Sequence, residues 1–323
     1  MHHQGHSGCM SDLESMGRVY FTRKGQRLIL LAVATITVFA VSVFTYISAI
    51  AYYTPALTSA FQSYERPFAL VTYFSLVGFE SIYSSTSFVL GTIKLAHSWK
   101  NNTPLDVQLK YDMILLVTDP YGLLLLTDAK ALRDCGWKFW SVQPLYGRPS
   151  AEHYLNQNRY THSAQFSKLY LWSLISYRHV LYLDSDVLLV GDITGEISRA
   201  LPHLSRDRVG MVVDRGRVPT YNAGVILLVP SLLKFNAMLA VTHSMSYDVE
   251  VQEQGFLNAF WNHSVVTLPE YLNEGVDNLT DSCLVMHFVA GMKPWKICNG
   301  IEAIQQFSRP CAEWNAVPPF THG

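Results

Sequence analysis

The chain has 323 residues, 49% hydrophobic and only 15% charged, with a formal net charge of -1. This composition excludes disorder as the default state and supplies enough apolar material for one large core or two modest ones. No long basic run appears, so the electrostatic footprint of a nucleic-acid-binding protein is excluded and no nucleic-acid partner is expected.

In chain order, the opening MHHQGHSG is rich in histidine but reads as a tail without the fixed geometry a metal site needs. Residues 28–53, LILLAVATITVFAVSVFTYISAIAYY, contain no charge and are long enough to cross a hydrocarbon core of about 30 Å as a helix. Arg18, Arg23, Lys24 and Arg27 precede this stretch, and the next charge after it is Glu65. The positive flank puts the N-terminus in the cytosol, and the length of the apolar run favours a retained signal-anchor over a cleaved signal peptide. The expected organisation is a cytosolic tail (1–27), a transmembrane signal-anchor (28–53), a short stem (54–66) and one lumenal domain (67–323). The expected topology is that of a single-pass type II protein, with the bulk of the chain in the lumen or outside.

Sequons at Asn101, Asn262 and Asn278 agree with that side, although each alone is a common accident. Cys135, Cys283, Cys298 and Cys311 form an even lumenal set. One or two disulfides and four buried thiols are both open.

From Arg66 onward, strands and helices alternate, which predicts an α/β domain with a mixed, mostly parallel sheet flanked by helices. FALVTYFS (68–75) is the first strand, residues 83–99 the first helix and YDMILLVTD (111–119) the second strand. A helix over 123–135, a short strand from Trp137 and a Pro-, Gly- and Tyr-rich loop from Gln143 follow. QFSKLYLWSLISY (165–177) reads as an amphipathic helix feeding into the strand HVLYLDSDV. Asp184 and Asp186 then sit at the carboxyl end of a buried strand, on one side of an extended backbone, where ligands bind in open α/β sheets.

An Asp-x-Asp triplet alone proves little. VMHFVAGMKPW (285–295) adds an imidazole at His287, a flexible Gly291 and a cation at Lys293. A lone histidine is more often core than ligand, but two carboxylates plus one imidazole suit Mn²⁺ better than Zn²⁺.

KLYLWSLISYRHVLYLDSDVLLVGDI, YNAGVILLVPS, EQGFLNAFW and HFVAGMKPW resemble, in the same order, the successive motifs of the glycogenin-like family 8 glycosyltransferases. The resemblance implies a GT-A-type nucleotide-sugar fold and a retaining, metal-dependent transfer of a hexosyl unit from a UDP-sugar to a glycan or glycoprotein acceptor. It implies Asp184, Asp186 and His287 as metal ligands, Lys293 on the diphosphate and Gly291 in the loop over it. Tyr83 matches a uracil-stacking tyrosine, and Thr72 lies in the strand lining the base. Lys168, Asp214 and Asn222 match donor-sugar contacts, and Glu250, Glu253 and Gln254 match positions beside the reacting carbon.

Two departures stand out. Glu253 occupies a position where the closest members carry aspartate, and the glycine of the phosphate loop comes one place later. The first motivates a competing expectation, a membrane-tethered sugar-nucleotide- or glycan-binding protein whose catalysis has lapsed. Only Tyr271 follows the LP turn, so self-glycosylation is not expected and a separate acceptor is.

Overall fold

A computed structural model describes residues 66–76, 82–119, 122–147, 164–217, 219–289, 291–298 and 307–317. The expected tail and signal-anchor, and the stem up to residue 65, lie outside these residues. Among the described residues no helix is long and apolar enough to cross a membrane.

The strands β1 (Phe68–Ser75) and β2 (Tyr111–Thr118) are almost wholly buried and nearly continuous in apolar residues, the pattern of strands covered on both faces. They pair in parallel, β1 also pairs in parallel with β4 (His179–Leu183), and β3 (Lys138–Ser141) closes the edge beyond β2. β7 (Tyr221–Leu228) runs antiparallel to β4 and to β6 (Val209–Val213), and β8 (Val265–Leu268) lies parallel to β6. The seven-stranded order is β3-β2-β1-β4-β7-β6-β8, with β7 alone reversed.

Side chains alternate between the two faces, as the pleat requires. Leu70, Phe74, Met113, Leu115 and Val117 face one core with α1 (Ile82–Asn102) and α2 (Leu126–Asp134). Ala69, Val71, Tyr73, Ile114 and Leu116 face the other, with α4 (Leu232–Val241) and α5 (Gln252–Trp261); α3 (Thr194–Ala200) joins the first. Each large apolar side chain so enclosed contributes about 1.5–3 kcal/mol relative to exposure.

A second, three-stranded sheet has the order β5-β10-β9, built from β5 (Val187–Leu189), β9 (Glu274–Gly275) and β10 (Val285–His287). It packs with α6 (Ser308–Ala316) through Leu188, Met286, Phe288 and Trp314. Cys298 and Cys311 form a disulfide with Cα atoms 5.1 Å apart, while Cys135 and Cys283 are buried free thiols. Asn101, Asn262 and Asn278 are all exposed.

One expected element changes type. Residues 165–177 do not form an amphipathic α-helix; Phe166–Ser173 is a 3₁₀ helix, nearly all of it buried. Three residues per turn put Phe166, Leu169 and Trp172 in one line, and all three enter the same core. The charge on this segment, Lys168, is buried rather than solvated.

Candidate functional site

β4 delivers the first aspartate. Its last residues are buried, and the Asp184 N–H donates to the Gly224 carbonyl on β7 at 2.9 Å, after which the chain leaves the main sheet. The Val187 N–H donates back to the Asp184 carbonyl at 3.1 Å. Asp184 and Asp186 therefore flank a turn; they do not share a pleat face of one continuous strand. The turn is required because β5 belongs to the smaller sheet.

That sheet also brings in the imidazole. β10 pairs antiparallel with β5, with His287 opposite Val187, and the Phe288 N–H donates to the Asp186 carbonyl at 3.0 Å. His287 Nε2 lies 3.3 Å from Asp186 Oδ1 and 3.8 Å from Asp184 Oδ2. One ligand atom from each of the three residues lies within 4.8 Å of the others. Two carboxylate oxygens and one imidazole nitrogen form a donor set that could hold a divalent cation.

Two lysines pair with the cluster, one with each aspartate. Lys168 Nζ lies 2.9 Å from Asp184 Oδ1 and 2.8 Å from Glu253 Oε1, bridging two carboxylates. Burial lowers the Lys168 pKa, but Asp184 and Glu253 outweigh it and hold the ammonium above its usual value. Lys293 Nζ donates to Asp186 Oδ2 and, at 3.1 Å, to the Phe288 carbonyl. Burial raises the Asp186 carboxyl, while Lys293 and His287 pull it far below the usual carboxylate range. The Tyr182 hydroxyl donates to Asp184 Oδ1; burial first, and then Asp184, push its pKa well up, so the phenol stays a donor.

The residues expected beside the donor sugar fall into two groups. Glu253 is buried in the first turn of α5, and Gln254 next to it is clamped at both ends. The Gln254 Nε2 donates to Asp214 Oδ2 at 2.9 Å, and its Oε1 accepts from the Ala223 N–H at 3.1 Å. Asn222 Oδ1 accepts from the Gly224 N–H at 2.8 Å and from Asn273 Nδ2 at 2.9 Å. Lys168, Asp214, Asn222, Glu253 and Gln254 thus join through bonds to one another or to the strand and carboxylates that carry the cluster. Glu250 is exposed, on the turn before α5.

Thr72 is fully buried in β1, and its Oγ1 has no hydrogen-bond partner among the described residues. Tyr83 lies in the first turns of α1, with its side chain outside the described residues. Gly291 is exposed, and a Cβ there would meet nothing within 4 Å among the described residues. Trp295 anchors this end of the chain against Phe88 and Trp314, with ring centroids 4.8 and 6.4 Å away.

Several participants escape sequence reasoning. Asn273 Oδ1 meets His287 Nδ1 at 2.9 Å, and nothing in its neighbourhood marks it. Tyr182 could have been found as the residue two places before Asp184. Gly224 left a signal, a glycine inside a strand, which marks close approach. A Cβ on Gly224 would stand 2.2 Å from His287 Cε1, so only glycine admits the ring. Gly91 does the same for the turn, where a Cβ would lie 2.4 Å from the Ser185 carbonyl. Gln252 carries a positive φ of 51° immediately before Glu253, a strained conformation of the kind held only by surrounding structure.

Residues 83–201 match the family model described as Glycosyl transferase family 8. The UDP-glucuronate:xylan alpha-glucuronosyltransferase 2 of Arabidopsis thaliana is 26% identical over 235 residues, covering 66% of this chain and 34% of that protein. Glycogenin-2 of Saccharomyces cerevisiae is 27% identical over 155 residues, covering 40% of each. The chain thus spans about a third to two fifths of the length of these curated relatives. Among solved structures, the bifunctional glycosyltransferase WbbM superimposes with a TM-score of 0.54 at 14% identity, covering 79% of this chain and 50% of that one. The glycosyltransferase GlyE of Streptococcus pneumoniae does so with 0.51 at 17% identity, covering 79% and 62%. The likeness to these structures is one of fold, a GT-A-like α/β arrangement with a mixed, mostly parallel sheet.

Proposed function

We propose that this chain is a retaining family 8 glycosyltransferase that moves a hexosyl unit from a UDP-sugar to a lumenal glycan or glycoprotein, with Mn²⁺ as its cation. The observation that carries this reading is the meeting of Asp184, Asp186 and His287 across two sheets, with ligand atoms within 4.8 Å of one another. The family match over residues 83–201 supports the reaction class, and the motif resemblance supports the individual roles.

Asp184, Asp186 and His287 would hold the cation, which when bound neutralises charge on a departing nucleoside diphosphate and spares a proton donor. Lys293 follows the open Gly291 loop and is a point charge suited to the same diphosphate. Its ion pair with Asp186 keeps the ammonium close to where the phosphates would arrive. Thr72 offers an unused hydroxyl in the strand expected to line the base, and Tyr83 opens α1 as the expected stacking partner.

Beside the sugar, Glu253 and Gln254 differ in what they can do. Gln254 has both ends of its amide engaged, so it acts as a fixed dipole. Glu253 carries a charge, shared through Lys168, that stabilises an oxocarbenium-like centre electrostatically. Asp214 and Asn222 complete the donor pocket, and Glu250 is assigned only to its rim.

The proposed setting is a type II protein anchored by residues 28–53 in the Golgi membrane. The charge-free span with its positive flank supports it, as does the Cys298–Cys311 disulfide, a bond that persists in oxidising compartments. Alkaline carbonate extraction and protease protection of the full chain test this; release of the chain by carbonate removes the anchor.

The catalytic test is UDP release from UDP-Glc, UDP-GlcNAc, UDP-Gal, UDP-GlcA and UDP-Xyl by the purified full chain, with and without Mn²⁺ and a mixed glycan acceptor. Metal-dependent release from one donor is expected. The competing reading, a binding protein whose catalysis has lapsed, is favoured by the engagement of Glu253 with Lys168, and it predicts UDP affinity without release. No release and no affinity would remove both.

A further inference from the structure

The imidazole of His287 can present Nε2 to a cation only if, when neutral, it keeps its proton on Nδ1. Nε2 faces both aspartates, at 3.3 and 3.8 Å, and Nδ1 faces Asn273 Oδ1 at 2.9 Å. An amide oxygen at that position accepts, so the Nδ1 proton is held, and Nε2 is the nitrogen that can face a cation once it gives up any proton shared with the carboxylates. The outcome depends on which way the Asn273 amide points, because its NH₂ group in the same place would demand the opposite tautomer.

What orients Asn273 is Asn222. Asn273 Nδ2 donates to Asn222 Oδ1 at 2.9 Å, and that oxygen also accepts from the Gly224 N–H at 2.8 Å. A backbone N–H can only donate, so the atom of Asn222 facing it must be the carbonyl oxygen. Asn273 must therefore turn its NH₂ to Asn222 and its oxygen to His287. Gly224 closes the arrangement sterically, since a Cβ there would collide with the ring.

We propose that Asn222 and Asn273 are positioning residues forming a relay from the β7 backbone to the metal ligand, fixing the His287 tautomer that can bind a divalent cation. The inference rests on the metal reading given under Proposed function. It gives Asn222 a second task beyond contact with the donor sugar, because only its oxygen is used in the relay.

The experiment is Mn²⁺ binding to the full chain in detergent, read by electron paramagnetic resonance without any nucleotide sugar. Asn222 touches none of the three ligand atoms, so a role limited to the sugar predicts unchanged affinity in Asn222→Ala. The relay predicts a weakening of about 10-fold or more, the scale seen for groups that orient a ligand. The double variant separates orientation from general loosening. In Asn273→Asp either carboxylate oxygen accepts from Nδ1, so no wrong orientation exists. Adding Asn222→Ala to that background should cost no affinity, since Asn222 Oδ1 there faces a second acceptor instead of a donor.

A second measurement, on the unmodified metal-free chain, is the ¹⁵N spectrum of its histidines, with His287 assigned by a His287→Gln variant. A proton on Nδ1 is expected, whether or not Nε2 also shares one with Asp186, and a bare-nitrogen signal at Nδ1 overturns the relay. Unchanged Mn²⁺ affinity in Asn222→Ala, or an equal loss in both backgrounds, also overturns it while leaving the metal reading intact. Failure of the unmodified chain to bind Mn²⁺ removes both.

Discussion

Two buried aspartates at opposite ends of the central strands show what separates a structural carboxylate from a candidate site. Asp112, near the start of β2, is 1% exposed and is surrounded by donors. Lys138 Nζ lies 2.8 Å and Arg66 Nε 3.7 Å from its Oδ1, and the Tyr177 hydroxyl donates to Oδ2 at 3.0 Å. One negative charge there meets two positive ones, and nothing further is needed. Beyond the carboxyl end of β4, Asp184, Asp186 and Glu253 share, among the described residues, the cations Lys168 and Lys293, with His287 between the two aspartates. With the imidazole neutral, three carboxylates against two ammonium groups leave one negative charge unbalanced. Uncompensated charge of this kind is costly inside a protein, and a divalent cation relieves it. Burial is common to both ends; the charge deficit belongs only to the second.

The sharpest break of this contrast is Asp186→Asn, which keeps the shape and removes the charge. Mn²⁺ affinity and metal-dependent UDP release should fall at least about 100-fold, beyond the range expected for groups that only orient a ligand, and the melting temperature should fall as well because Lys293 loses its buried carboxylate. Retained Mn²⁺ affinity would mean that the deficit does not recruit a cation. Gly224→Ala attacks the same end sterically. Its Cβ must displace the His287 ring, so Mn²⁺ affinity should drop by about 10- to 100-fold while the fold survives. An unaltered affinity would show that the ring position is not critical.

At the other end, Asp112→Ala should act on stability alone. It strips the Tyr177 hydroxyl of its acceptor and leaves Lys138 and Arg66 to hydrate, since both are partly exposed. A loss of about 1–3 kcal/mol in denaturant unfolding is expected, with turnover per folded molecule unchanged. A fall in turnover comparable to that of Asp186→Asn would erase the distinction between the two ends. The smallest effect is assigned to Glu250→Gln, on the exposed turn, where UDP release should change by less than about twofold and stability by less than about 0.5 kcal/mol. A large loss would return Glu250 to the catalytic group.

Parts of this molecule are legible in one dimension because their physics is local. The runs FALVTYFS and YDMILLVT are apolar at nearly every position, so they announce strands buried on both faces, and both strands appear with those limits to within a residue. The spacing from His287 to Lys293 marks the second half of the cluster. Residues 165–177 mislead because apolar spacings of three and four overlap over so short a segment, and the 3₁₀ form goes with packing of the segment against α4, α5 and β1. Lys168 was ambiguous for a related reason, since the same residue on a helix surface would be solvated.

By itself, then, the sequence determined the class of fold, the carboxyl-end location of the paired aspartates and the chemical types at the cluster. These follow from period, apolarity and residue chemistry within short windows. Tertiary structure alone decided that the aspartates flank a turn between two sheets, that Lys168 joins Asp184 to Glu253 and that Cys298 pairs with Cys311. It also decided that Asn273 and Gly224 stand behind His287. Each of these is a contact between residues remote in the chain or on separate elements, and its partner is set by strand register and by the way elements pack, which no local pattern encodes.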